Sequence, residues 1–132
     1  MIANELNELL KNCNVESADF DLLVDQFRAD RDAAELLELL NCDDDDLVRI
    51  GAWILSEIRA AKYDDESFKA RLWELTSHPT AAIRLHSLNA LFPFLRSNDP
   101  GAMDLIARLQ SDENAGVRMM ADAIAKRLEV EW

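Results

Sequence analysis

Leu47-Val48-Arg49-Ile50-Gly51-Ala52, Ala82-Ile83-Arg84-Leu85-His86-Ser87 and Gly116-Val117-Arg118-Met119-Met120-Ala121 are versions of one hexapeptide, and their recurrence decides the fold. In each, a β-branched apolar residue precedes an arginine and a small residue stands three positions after it. The arginines lie 35 and then 34 residues apart, a spacing that signals stacked helical units. Nineteen positions before each Arg stands an Asp (Asp30, Asp65, Asp99), twelve before it Leu37, Leu72 or Ile106, and nine before it Leu40, Leu75 or Leu109. Because every offset inside the unit is constant, the one-residue change in period falls in the link between Phe94 and Asp99, and loops tolerate such changes best.

Each part of the unit has a physical reading. The Asp offers a carboxylate to the free N–H groups of a helix start and complements the positive end of its dipole. Asp30, Asp65 and Asp99 are therefore expected to open first helices over 31–41, 66–77 and 100–110, with leucines three residues apart sharing one face. Polar links follow at 42–46, 77–80 and 111–114, with Pro79 placed where a new helix can begin. Second helices are predicted over 46–61, 80–96 and 114–129, and Pro93, between Phe92 and Phe94, predicts a kink or early end in the middle one. Upstream, Ile2, Leu6, Leu9 and Leu10 mark one amphipathic helix, and after Ser17 the set Phe20, Leu23, Val24 and Phe27 marks another. This pair, 1–29, lacks the Asp and Arg markers and reads as an N-terminal cap over the open end of the stack. The expected chain is one all-α domain, 1–132, of about eight helices, in which repeats 30–63, 64–97 and 98–130 follow the cap.

Composition agrees. Three Gly and three Pro in 132 residues are too few for a protein of many strands and tight turns. No apolar run approaches the roughly 18 residues that cross a bilayer, and the start, Met-Ile-Ala-Asn-Glu-Leu, has no basic leader region, so a soluble cytoplasmic protein is expected. Cys13 and Cys42 form no CxxC pair and read as small buried hydrophobes. Net charge is −12, and all of it lies in one half: residues 1–66 hold 18 acidic and 6 basic side chains, residues 67–132 hold 8 of each. Such a field disfavours nucleic-acid backbones and anionic lipid and favours a basic protein partner, although acidic faces also serve solubility.

The pattern Val48-Arg49…Ala52, Ile83-Arg84…Ser87, Val117-Arg118…Ala121 resembles HEAT repeats, over about residues 30–129. The resemblance implies a short right-handed α-solenoid in which the arginine pairs with an acidic residue near the inter-helix turn. Arg49, Arg84 and Arg118, with Asp43 or Asp112, would then form a structural ladder and no ligand site. The sequence departs from that pattern where His78 occupies the place of the Asp.

Catalysis finds little to work with. His78 and His86 are the only histidines, neither in a metal-binding spacing, and no Gly-rich phosphate loop or nucleophile elbow occurs. Cys42, Asp43 and His78 are the sharpest metal set, yet fall short of the four ligands of a closed site. No catalytic residue, metal or cofactor is expected. The run Asp43–Asp46 lacks the alternating ligands of a calcium loop and reads as a capping turn that also offers the densest negative charge on the chain. The second helices are more apolar than one packing face needs: Ile50, Trp53 and Ile54, then Leu85, Leu88 and Phe92, then Met119, form a belt that is either inter-repeat core or an exposed groove. Partner contacts are accordingly expected at Asp44, Asp45, Asp46, Ile50, Trp53, Glu57, Leu85, Asn89 and Phe92. Trp73 is a further candidate for exposure, and Trp132 either tucks over the last repeat or stays free. The leading expectation is a binding module, monomeric when free, for a basic protein. Small acidic immunity proteins that block bacterial nuclease toxins resemble it in size and charge; a scaffold or assembly adaptor and a small enzyme related to HEAT-like bilin lyases are the alternatives. HEAT-like DNA glycosylases resemble it in fold, but the chain lacks their basic surface.

Overall fold

The computed structural model describes residues 18–130 and, before them, Asn4 alone. The first expected helix, with Ile2, Leu6, Leu9 and Leu10, lies outside the described residues, as do Cys13 and Trp132. Among the described residues there are seven α-helices and no strand. They are α1 Ala18–Arg28, α2 Ala34–Leu40, α3 Asp45–Glu57, α4 Glu66–Leu75, α5 Ala81–Leu91, α6 Pro100–Gln110 and α7 Ala115–Val130. Short 3-10 turns at Ala60–Tyr63 and Phe92–Phe94 follow α3 and α5. No helix among them is long and apolar enough to cross a membrane.

Side-chain caps start most of these helices. Asp65 accepts from the Ser67 amide at 2.7 Å to open α4, Asp99 from Gly101 at 3.0 Å to open α6, and Asp44 from Asp46 at 2.9 Å to open α3. Asp30 does not do the same for α2. The chain turns through 29–33, the helix begins at Ala34, and Asp32 accepts from its amide at 2.9 Å. α5 begins differently again, since the Thr80 amide donates to His78 Nδ1 at 2.9 Å and the Thr80 hydroxyl caps nothing. Pro93 ends α5 at Leu91 and forces the tighter turn that follows.

The apolar stripes meet in one core. Phe20, Leu23, Val24 and Phe27 of α1 are buried, at the spacing of a single helix face. So are Leu36, Leu39 and Leu40 of α2, Leu72 and Leu75 of α4, Leu105, Ile106 and Leu109 of α6, and Val117, Ala121, Ile124 and Leu128 of α7. Each first helix packs on the second helix that follows it, α2 on α3, α4 on α5 and α6 on α7. The second helices also pack on one another, α3 on α5 and α5 on α7, with α1 against α3. Among the first helices α2 meets α4, and between α4 and α6 lies a groove bordered by Trp73 of α4 and by Gly101, Asp104 and Leu105 of α6. The small residues Ala52, Ser87 and Ala121 are all fully buried, and the Ser87 hydroxyl has no hydrogen-bond partner, so the position uses small volume and not polarity.

Gly51 sets the closest helix contact. A Cβ there would lie 2.9 Å from Leu39 Cβ and 3.6 Å from the Leu36 carbonyl oxygen, atoms held by the α2 backbone. Gly51→Ala is expected to lower stability by about 1–2 kcal/mol in chemical denaturation, overpacking outweighing the roughly 1 kcal/mol of helix propensity gained. Gly101→Ala, whose added Cβ meets only Asp99 Oδ1 at 3.4 Å and the Trp73 ring at 4.0 Å, should be tolerated. Equal effects of the two substitutions would remove the packing argument.

Candidate functional site

One edge of the molecule carries the inter-helix turns, and there the repeat arginines separate into different roles. Arg84 is buried and forms a two-pronged pair with Asp112, Nε and Nη2 each 2.9 Å from a carboxylate oxygen. Its remaining nitrogen donates to the carbonyls of His78 and Pro79, at 2.9 and 3.0 Å. The Arg84 guanidinium holds the Asp112 carboxyl below the usual carboxylate range, against a smaller opposing effect of desolvation. Arg118 donates to the Asp112 carbonyl at 2.6 Å. Arg49 does not reach Asp43; its nearest carboxylate is Asp46, at 3.9 Å. With His78 in the place that Asp112 fills one unit later, the junction is bridged by His78 Nε2 and Asp45 Oδ1 at 3.2 Å. Because His78 Nδ1 accepts from the Thr80 amide, Nε2 carries the proton and donates to Asp45.

The Cys42 thiol donates to the Glu38 carbonyl at 3.2 Å and is pushed up in pKa by burial and by Asp44, Asp43 and Glu38. Among the described residues no group of three His, Cys, Asp or Glu side chains is placed to hold a metal ion.

The apolar belt of the second helices divides. Ile50, Ile54 and Leu88 are buried, so Ile50, expected to touch a partner, is core instead. Its helix has neighbours in α1, α2 and α5, which leave the Ile50 side of α3 no access to solvent. Trp53, Leu85, Asn89 and Phe92 are half-buried, while Asp44, Asp45, Asp46 and Glu57 are exposed. Arg49, Trp53 and Glu57 share one face of α3 at four-residue spacing. His86 of α5 faces the same row: burial lowers its pKa, Arg49 lowers it further, and Glu57 opposes them. Arg49, Trp53 and Glu57 of α3 and His86 of α5 thus share one partly open strip, with the exposed Asp44–Asp46 at the start of α3 and Leu85, Asn89 and Phe92 half-buried along α5. Met119, at the repeat position of Ile50 and Leu85, is 72% exposed; among the described residues α7 packs chiefly on α5 and α6.

Several basic residues that tie neighbouring helices together carry no repeat signal. Arg71 Nε donates to the Leu40 carbonyl at 2.9 Å, and Arg108 donates to the hydroxyls of Ser77 and Thr76 at 2.9 and 3.0 Å. Each first-helix arginine thus reaches back to the negative end of the preceding first helix. Lys62 donates to the carbonyls of Phe27 and Ala29 at the end of α1, and Arg28 Nε to the Glu57 carbonyl at 3.2 Å at the end of α3. Arg71 stands thirteen residues before Arg84 but Arg108 ten before Arg118, so a search for constant offsets passes over both.

No protein-family model, no curated protein and no solved structure matches the chain.

Proposed function

We propose that the chain is a non-catalytic protein-binding module that holds a basic partner, and that in its most concrete form it is a cytoplasmic immunity protein covering the cationic groove of a bacterial nuclease toxin. The proposal takes the helix pairs as a short right-handed α-solenoid of HEAT-like units; the repeated packing of α3 on α5 and α5 on α7 supports that reading. One observation carries the functional part: Trp53 on α3 and Leu85 and Phe92 on α5 are only partly buried, and the two ends of α3 carry the exposed carboxylates of Asp45, Asp46 and Glu57. Aromatic and aliphatic anchors with charge at the rim are the usual make-up of an interface. A groove built for phosphates is complementary to carboxylates, so inhibition needs no chemistry from this chain.

Binding to a panel of basic bacterial nuclease domains tests it, with stopped-flow association at several salt concentrations. Replacing Asp44, Asp45 and Asp46 together by Asn keeps the helix cap, since Asn caps as well as Asp. It should slow association by about tenfold at low salt and flatten its salt dependence. An association rate indifferent both to salt and to these substitutions would leave the acidic end a solubilising feature and sink the reading.

A further inference from the structure

We propose a second contact surface, the groove between α4 and α6, as a receptor for an arginine side chain of a protein partner, bound against the ring of Trp73. This rests on the reading of a basic partner but uses a surface away from the α3–α5 strip. Trp73 of α4, 37% exposed, lies between α4 and α6. Trp73 borders two cavities. One, of about 290 Å³, is floored by Ala70, Leu91, Phe94 and Leu95; the other, of about 330 Å³, adjoins Gly101 and Leu105. The first lies beside the end of α5, which Pro93 stops at Leu91.

The rings of this protein already show what they bind. Arg31 lies 4.9 Å over Phe27, and Lys69 lies 4.9 Å over Phe94 while its ammonium bonds Asp64 at 2.8 Å. Ring plus carboxylate is thus the setting in which a cation is held, and Trp73 repeats it with Glu66 and Asp99 on one side and Asp104 on the other. Among the described residues no cationic side chain lies over Trp73, although an indole is the strongest cation acceptor of the aromatic rings. Lys69 lines the first cavity and Arg108 the second, but Lys69 is held by Asp64 at 2.8 Å and Glu66 at 3.7 Å, and Arg108 by the Ser77 and Thr76 hydroxyls. A planar guanidinium suits this site better than an ammonium, since it can stack on the indole and direct N–H groups sideways to carboxylates at the rim.

Hexa-arginine and hexa-lysine peptides, titrated into isotope-labelled full-length protein, test the proposal through the indole N–H resonances. The Trp73 resonance should move saturably with hexa-arginine and at least several-fold more weakly with hexa-lysine. The exposed-carboxylate variant Glu66→Gln with Asp104→Asn should weaken the arginine response about tenfold while leaving the spectrum otherwise folded. Trp53 and the amides of Asp44–Asp46 report separately on the α3–α5 strip. Movement there without movement at Trp73 overturns the groove and leaves the earlier reading standing. No saturable change at Trp73, equal affinity for both peptides, or full affinity in the double variant likewise overturns it.

Discussion

Arg84→Ala is expected to destabilise the protein by about 3–5 kcal/mol, because it strands a carboxylate that has been taken out of water. Asp112 and Arg84 are 9% and 8% exposed at their side chains, and the same guanidinium satisfies two carbonyls of the preceding turn. Arg118→Ala loses one hydrogen bond to a backbone carbonyl and should cost about 1 kcal/mol. Arg49→Ala should cost less than about 1 kcal/mol, since Asp46 is 70% exposed and 3.9 Å away. Urea denaturation of the three variants gives the ranking, and similar losses at all three sites would mean that burial does not set the cost. Acid adds a second test. The folded Asp112 carboxyl lies below its unfolded value, so its stabilisation is present above about pH 4 and is lost as pH falls through the folded value. The gap between wild type and Arg84→Ala should therefore narrow as pH falls below about 4. A gap that stays constant over that range would assign the cost to packing alone.

This ranking shows what the recurrence made legible and what it hid. Period and offset found the three arginines and the caps at Asp65 and Asp99, because repeated positions meet repeated local demands: a helix start needs an acceptor wherever it falls. The ladder depends on contacts between neighbouring units, and these are not repeated. One His in place of an Asp at position 78 deprives Arg49 of the carboxylate that Arg84 has, and transfers the bridge to Asp45. Asp30 misled for a similar reason: the turn after α1 occupies 29–33, and Asp32 stands two residues before the first helical amide that needs it. Arg31, next to it, is turned instead to Glu35, at 2.7 Å.

The candidate site was legible in its chemistry but not in its accessibility. Sequence period places Ile50, Leu85 and Met119 at one repeat position, and period alone cannot say how many neighbours a helix has. The groove beside Trp73 was legible only in its parts. Trp73 stands opposite the leucines of its own helix, and Pro93 predicts a shortened α5; that the Trp73 ring and the end of α5 border one cavity depends on packing between units, which no local pattern encodes.

Ile50→Ala should accordingly cost about 2–5 kcal/mol, the toll of a cavity between packed helices, with partner affinity unchanged in the fraction that stays folded. Ile50 has no exposed surface, and α3 is enclosed by α1, α2 and α5. Met119→Ala, at the equivalent position, removes a side chain that is 72% exposed and should change stability by less than about 0.5 kcal/mol. Leu85→Ala falls between them, since that side chain is half-buried. Trp53→Ala separates the two kinds of loss: its ring is partly open on the α3–α5 strip, so its removal should speed partner dissociation more than it lowers the melting temperature. Thermal melts beside dissociation rates for the four variants place each residue on one axis or the other. If Ile50→Ala melts like wild type and speeds dissociation, the α3 face described as core is open to the partner, and the division of the belt into core and surface fails.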